Sequence, residues 1–307
     1  MDGQEIPIGQ SAAIALLEAA IARNRVASAY LFAGPEGIGR AMTARYFARR
    51  LLGDRHQLIN HPDLLWVEPT YLHNGQLYTS TEAEEKGLKR KTSPQIRLEQ
   101  VRAIARFLSK PPLEADRSLV IIQHAETMGE GAANGLLKTL EEPGRATLIL
   151  IAPSTEALLP TLISRCQRIP FYRLSPNDLA QVLETCGHSE ILQRPAIVAA
   201  AQGSPGAAIA SWEQLQAIPS DLIDRASHIP TTLRTALDLA RDITKTLDPP
   251  DQLWLIDYLQ NAYWQTRGMA AQTAIERLEL ARKHIRAFVQ PRLAWEVALM
   301  DLARSAH

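Results

Sequence analysis

AYLFAGPEGIGRAMTARYFARRLL, residues 29–52, falls into three parts. AYLFA (29–33) is a short apolar run that ends at a glycine, the pattern of a strand buried on both faces. GPEGIG (34–39) is a glycine-rich turn, and RAMTARYFARRLL (40–52) carries apolar residues at helical spacing. Strand, glycine turn and helix in that order form the context of a phosphate-binding loop, G-x-x-x-x-G-K-[ST]. In such a loop backbone N–H groups cradle phosphates, the lysine reaches the β- and γ-phosphates, and the hydroxyl ligates Mg²⁺. Gly34 and Gly39 stand at the required spacing, with Gly37 between them. Arg40, however, takes the lysine position and Ala41 the Ser/Thr position. Arginine keeps the charge but is a planar fork rather than a compact ammonium, and alanine offers a metal no oxygen. Gly34, Gly37, Gly39 and Arg40 therefore read as a degenerate, inactive nucleotide loop; the residues alone leave open residual binding without hydrolysis.

Working outward, residues 11–27 predict an amphipathic helix, and LLWV (64–67) a second strand. YLHNGQLYT (71–79) places Asn74-Gly75 between mirrored Leu and Tyr residues, a hairpin signal. TEAEEKGLKRKTSPQ (81–95) is polar and charged and reads as an exposed loop. IRLEQVRAIARFL (96–108) predicts a helix, LVII (119–122) a buried strand, GAANGLLKTLEE (131–142) a helix stopped by Pro143, and TLILIA (147–152) another strand. After LVII an active ATPase carries acidic residues that hold Mg²⁺ and polarise water. This chain has Gln123-His124 instead; Glu126, nearby, reads as a solvated loop residue and His124 as a loop or capping residue. Beyond about residue 173 only helical patterns remain. The expectation is an α/β domain with a mostly parallel sheet, followed by helical domains.

The 307 residues, 46% hydrophobic, suffice for two or three domains with sizeable cores. Equal numbers of basic and acidic residues, 33 of each, argue against a strongly basic nucleic-acid coat. Two cysteines, Cys166 and Cys186, make no disulfide framework and fit a reducing cytosol. Neither a signal peptide nor an apolar run of about 18 residues is visible, so the expected place is the cytoplasm, with no membrane contact.

HPDLLWVEP (61–69), IRLEQVRAI (96–104), NGLLKTLEEPG (134–144), LLPTLISRC (158–166) and QPRLAWEVALMDL (290–302) together resemble, in order and spacing, subunits of the bacterial sliding-clamp loader of DNA polymerase III. The resemblance covers nearly the whole chain, and the loss of the nucleotide motifs beside an intact Ser164-Arg165-Cys166 is that of the delta-prime type. It implies an AAA+ RecA-like α/β domain (1–172), a helical lid (173–211) and a helical collar (212–307) in a ring of five subunits. It further implies that Arg165, with Ser164 and Cys166 completing the motif, is an arginine finger reaching a neighbour's ATP. Taken alone, Arg165 reads as an intrasubunit salt bridge or surface charge. The implied chain is non-catalytic and takes no cofactor, ATP and Mg²⁺ sitting on neighbouring subunits. The DNA-directed DNA polymerase activity belongs to the holoenzyme. Implied partners are the motor subunits and the delta subunit, with sliding clamp and primed DNA met through the complex. The alternative is a weakly active AAA+ ATPase motor subunit.

Three departures from the family stand out. No cysteines follow the glycine-loop helix, where many relatives carry a zinc module, and His56 and His61 cannot make a site alone, so no zinc and no other metal is expected. Gly206 stands where motor subunits present a lid arginine. The hairpin and its tail look like an insertion, whose Lys86, Lys89, Arg90 and Lys91 read first as solvated and second as a contact for DNA or a partner. In the collar region Trp254, Trp264 and Trp295 read equally as interface anchors and as core.

Overall fold

The computed structural model describes residues 6–53, 58–88 and 93–305, in two compact units, Met1–Ser175 and Pro176–His307. The first unit opens with α1 (Ser11–Ala22), β1 (Ala29–Ala33), α2 (Arg40–Leu52) and β2 (Leu64–Val67). A hairpin follows, β3 (Tyr71–His73) and β4 (Gln76–Tyr78), then α3 (Ser80–Glu85) and α4 (Leu98–Leu108). β5 (Ser118–Ile122), α5 (Glu130–Glu141), β6 (Ala146–Ala152), α6 (Pro160–Ile163) and β7 (Gln167–Pro170) complete it. Five of the strands form one sheet in the order β2-β5-β6-β1-β7, with every pairing parallel. β1 lies between β6 and β7, Ala29 facing Leu148 and Phe32 facing Ile151 and Ile169. β5 and β6 are buried along their whole length, which is why both read as unbroken apolar runs. Against them α4 and α5 set Val101, Ile104, Leu136 and Leu140.

The sheet dictates the glycine loop. Gly34 N donates to Ala152 O at 3.3 Å, and a Cβ at Gly34 would stand 2.5 Å from the carbonyl oxygen of Phe171. Gly34 is therefore fixed by the wall of backbone beside it. Gly39 is needed for another reason: it caps α2 at φ 99°, in the left-handed region.

The hairpin forms as read, with Tyr71 opposite Tyr78 and His73 opposite Gln76; Asn74 and Gly75 both have positive φ, as a tight two-residue turn demands. Three local expectations change. The 11–27 helix stops at Ala22, with Asn24 in the left-handed region at φ 50°. The segment after the hairpin is not all loop: Thr79 and Glu82 close a capping box that starts α3, a Thr-x-x-Glu signal the polar composition concealed. β7 is an additional strand, short and mostly exposed, whose single buried residue is Ile169; a strand with one apolar contact carries no alternation to detect.

The second unit is helical: α7 (Pro176–Thr185), α8 (Pro195–Ala201), α9 (Pro205–Ala217), α10 (Ser220–Ala226), α11 (Leu233–Thr246), α12 (Pro249–Arg267), α13 (Gln272–Arg286) and α14 (Pro291–Ser305). α14 packs against α11 and α13, and α12 against α8 and α13. Caps recur at the starts, from the side chains of Ser204, Thr232 and Asp248. Trp295 is fully buried and donates its indole N–H to Gln252 Oε1 at 3.0 Å, so it is core. Trp264 is exposed, and Trp254 stacks on Tyr258. No helix among the described residues is long and apolar enough to cross a membrane.

Candidate functional site

Two clusters in the first unit carry the residues singled out above. The first surrounds the glycine loop at the C-terminal end of β1, the end of a parallel sheet at which ligands bind. Arg40 opens α2 and is only 7% exposed. Its Nη1 is buried without a hydrogen-bond partner. Burial lowers its pKa, and the charges of Glu126 and Glu36 push it back up. Glu126 is thus not the solvated loop residue its position implied. It sits on the 3-10 turn Ala125–Thr127 after β5, with Oε2 buried and unpartnered and Oε1 3.2 Å from His124 Nδ1. His124, at φ 52°, also brings Nε2 to 3.7 Å from Glu36 Oε1. The hydrogen bond to Glu126 raises the pKa of His124 against the effect of burial, and the two carboxylate charges add to that rise.

These residues do not fit a magnesium nucleotide. The charge of Arg40, which a polyanion would need, is already opposed by the carboxylates of Glu126 and Glu36. The hydroxyl of Thr43 is fully buried and donates to Gly39 O at 3.0 Å, so it does not stand in for the missing metal ligand at Ala41. Gln123, at the end of β5, accepts from Trp66 Nε1 at 3.3 Å and supplies no carboxylate. Sequence reasoning found Gly34, Gly37, Gly39 and Arg40 but missed that the charge of Glu126 acts on Arg40, because no local pattern reports a relation between segments so distant in the chain.

The second cluster lies at the corner between α6 and β7. Ser164 Oγ donates to Thr161 O at 3.1 Å. Cys166 packs against the sheet core, and burial pushes its thiol pKa up to about 11, so at neutral pH it is an inert thiol. Arg165, between them, turns outward. Its Nε and Nη2 both donate to Glu141 Oε1, at 3.1 and 2.6 Å, and Nη1 donates to Thr161 O at 2.9 Å and Ser164 Oγ at 3.3 Å. The ion pair is exposed on both sides, 35% for Arg165 and 52% for Glu141.

The remaining candidates lie apart from these clusters. Lys86 stands over the Tyr78 ring at 4.5 Å; Lys89, Arg90, Lys91 and His56 lie outside the described residues. His61 is buried, and its Nδ1 accepts from Asp63 N at 3.1 Å. Asp63, which sequence reasoning overlooked, accepts backbone N–H bonds from Leu113, Glu114 and Ala115 at 2.6–2.8 Å. Burial works to raise its pKa, but these bonds outweigh it and hold the carboxyl below its usual range. Among the described residues no group of three or more His, Cys, Asp or Glu is placed to hold a metal ion. Gly206 lies in the first turn of α9 and brings no side chain.

Residues 9–175 match the family described as DNA polymerase III, delta subunit. Residues 177–302 match the family described as cyanobacterial DNA polymerase III delta prime, C-terminal domain. The chain is 34% identical over 179 residues to the DNA polymerase III subunit delta' of Bacillus subtilis, covering 53% of this chain and 48% of that protein. It is 36% identical over 160 residues to the corresponding subunit of Pseudomonas aeruginosa, covering 47% and 43%. The chain thus spans about half the length of these curated relatives. In fold it is similar to a DNA polymerase III gamma subunit-related protein from Thermotoga maritima, with a TM-score of 0.57 at 17% identity, over 96% of this chain and 100% of that one.

Proposed function

The chain belongs to the DNA polymerase III delta-prime family, and from that premise we propose that it is a non-catalytic subunit of a sliding-clamp loader that lends Arg165 to the ATP of an adjacent subunit. The observation that carries the reading is the contrast at the two clusters. The glycine loop has lost lysine, hydroxyl and acidic pair, and holds Glu36 and Glu126 beside Arg40. The Ser164-Arg165-Cys166 corner is whole and presents its guanidinium at the surface. An arginine supplied in trans stabilises the charge that develops on a transferring γ-phosphoryl group, an effect worth about 10³–10⁵ in rate where it is the main contribution. In this proposal residues 173–211 act as a lid and 212–307 as a collar that joins the motor and delta subunits. Clamp and primed DNA are met through the assembled complex in the cytoplasm.

The test is a loader reconstituted with Arg165→Ala. The variant subunit should fold and assemble, and ATP turnover stimulated by clamp and primed DNA should fall at least about tenfold. Turnover and clamp loading equal to wild type would refute the finger. A second reading, a weak ATPase, is favoured by one observation only, the cation kept at position 40. Titrating the purified chain with a fluorescent ATP analogue decides it. The proposal expects no binding up to about 1 mM, a free energy near −4 kcal/mol, whereas Mg²⁺-dependent binding with turnover would establish the ATPase.

A further inference from the structure

Arg165 does not project freely. A guanidinium has five N–H donors, and here four are engaged: one from Nε and one from Nη2 on Glu141, and two from Nη1 on Thr161 and Ser164. The arginine therefore lies docked on its own subunit and has to leave Glu141 before its fork can meet a phosphoryl group. We infer that Glu141 is a positioning residue that parks Arg165, and that an adjacent subunit's triphosphate takes the guanidinium from it by exchange of a carboxylate for a phosphate. The inference rests on the finger reading of Arg165.

Three features single out Glu141. First, its place is electrostatically poor for the helix that carries it. Glu141 is the last residue of α5, and Glu142 caps it, where the helix dipole is negative and disfavours acidic side chains. Stability of α5 does not explain a carboxylate there; drawing in a cation does. Second, the hold is shallow. Both bonds converge on the single oxygen Oε1 instead of spreading over the carboxylate as a two-oxygen fork does, and the pair is exposed on both sides, where such pairs are worth little. Third, the other two contacts are local. Thr161 O and Ser164 Oγ belong to the same turn as Arg165 and take Nη1 alone, so the edge that has to change partner is the Nε–Nη2 edge now on Glu141. A triphosphate offers more charge and more acceptor oxygens than one shared carboxylate oxygen, and arginine matches phosphate geometry well.

The experiment uses the reconstituted loader and measures ATP turnover without primed DNA, with the subunit carrying Glu141→Gln, Arg165→Ala or both. Removing the competing charge should raise kcat/KM for ATP about two- to fivefold, the range an exposed ion pair supports. The rise should vanish in the double variant, whose rate should equal that of Arg165→Ala. Glu142→Gln, a neighbouring carboxylate that takes none of the four bonds, should behave as wild type. A Glu141→Gln loader that turns over at or below the wild-type rate while Arg165→Ala is impaired overturns the parking role and leaves the finger intact. A normal rate in Arg165→Ala overturns the finger itself, and parking with it. A purely structural Glu141 would shift the subunit's thermal midpoint and leave kcat/KM unmoved, which counts against the inference.

Discussion

Arg40 and Arg165 lie in the same unit and carry the same charge, and the chain treats them in opposite ways. Arg40 is sealed: 7% exposed, one terminal nitrogen without a partner, its charge answered by the carboxylates of Glu126 and Glu36. Arg165 is held at the surface by an ion pair that solvent screens. On the proposed function, the difference is that between a loop that has given up its nucleotide and a corner that still serves one. The cation in the loop becomes part of the interior electrostatics, and changing it disturbs folding. The cation at the corner costs the fold almost nothing, and on the proposed function changing it disturbs a neighbour.

Substitutions that hold one property fixed sharpen that contrast. The largest effect is expected from Arg165→Lys, which keeps the charge and loses the planar fork. Loader ATPase should fall at least about tenfold, close to the alanine variant, with the isolated subunit's stability unchanged within about 0.5 kcal/mol. Full activity in this variant would reduce the finger to a point charge. Next comes Arg40→Ala. It removes the positive charge that answers the carboxylates of Glu126 and Glu36 and empties the space of a buried side chain, and should destabilise the first unit by about 1–3 kcal/mol, read as an earlier urea midpoint, while turnover per assembled loader stays at the wild-type level. A loader that assembles normally but turns over slowly would show that the loop still serves a nucleotide. The smallest effect concerns His124, whose pKa is raised by Glu126. A histidine with a raised folded-state pKa contributes stability that is complete below its unfolded value of ~6.5 and is lost as pH rises through the folded value. The stability difference between wild type and His124→Gln should therefore be largest near about pH 5.5 and shrink by about pH 8.5. It should stay below about 1 kcal/mol for a partly exposed pair. A difference that grows with pH would mean that His124 is held neutral.

How much of this was legible in the sequence follows from how each contact is encoded. β1, β5 and β6 announce themselves as apolar runs because both faces are covered. The Asn74-Gly75 turn does so because few residues accept positive φ twice in succession. The two glycines of the loop were found by spacing, and the Ser164-Arg165-Cys166 corner by resemblance to a family. What spacing could not show is which distant carboxylate each arginine meets. Glu126 was misplaced in solvent because the cation on which its charge acts, Arg40, opens another element, and Glu141 passed unnoticed as the charged end of a helix. Asp63 was invisible for the same reason, since its three backbone donors come from the segment before β5.

Gly34 has a consequence for how such a chain would look under selection. Its missing side chain is demanded by the carbonyl of Phe171, not by any ligand. A saturation scan scored on folding alone would find position 34 intolerant and position 41, in the first turn of α2, permissive. On the proposed function, half of a nucleotide motif can thus persist after its purpose has gone, kept by the carbonyl wall it was built against, and a motif search that counts glycines will report a site that no longer works as one.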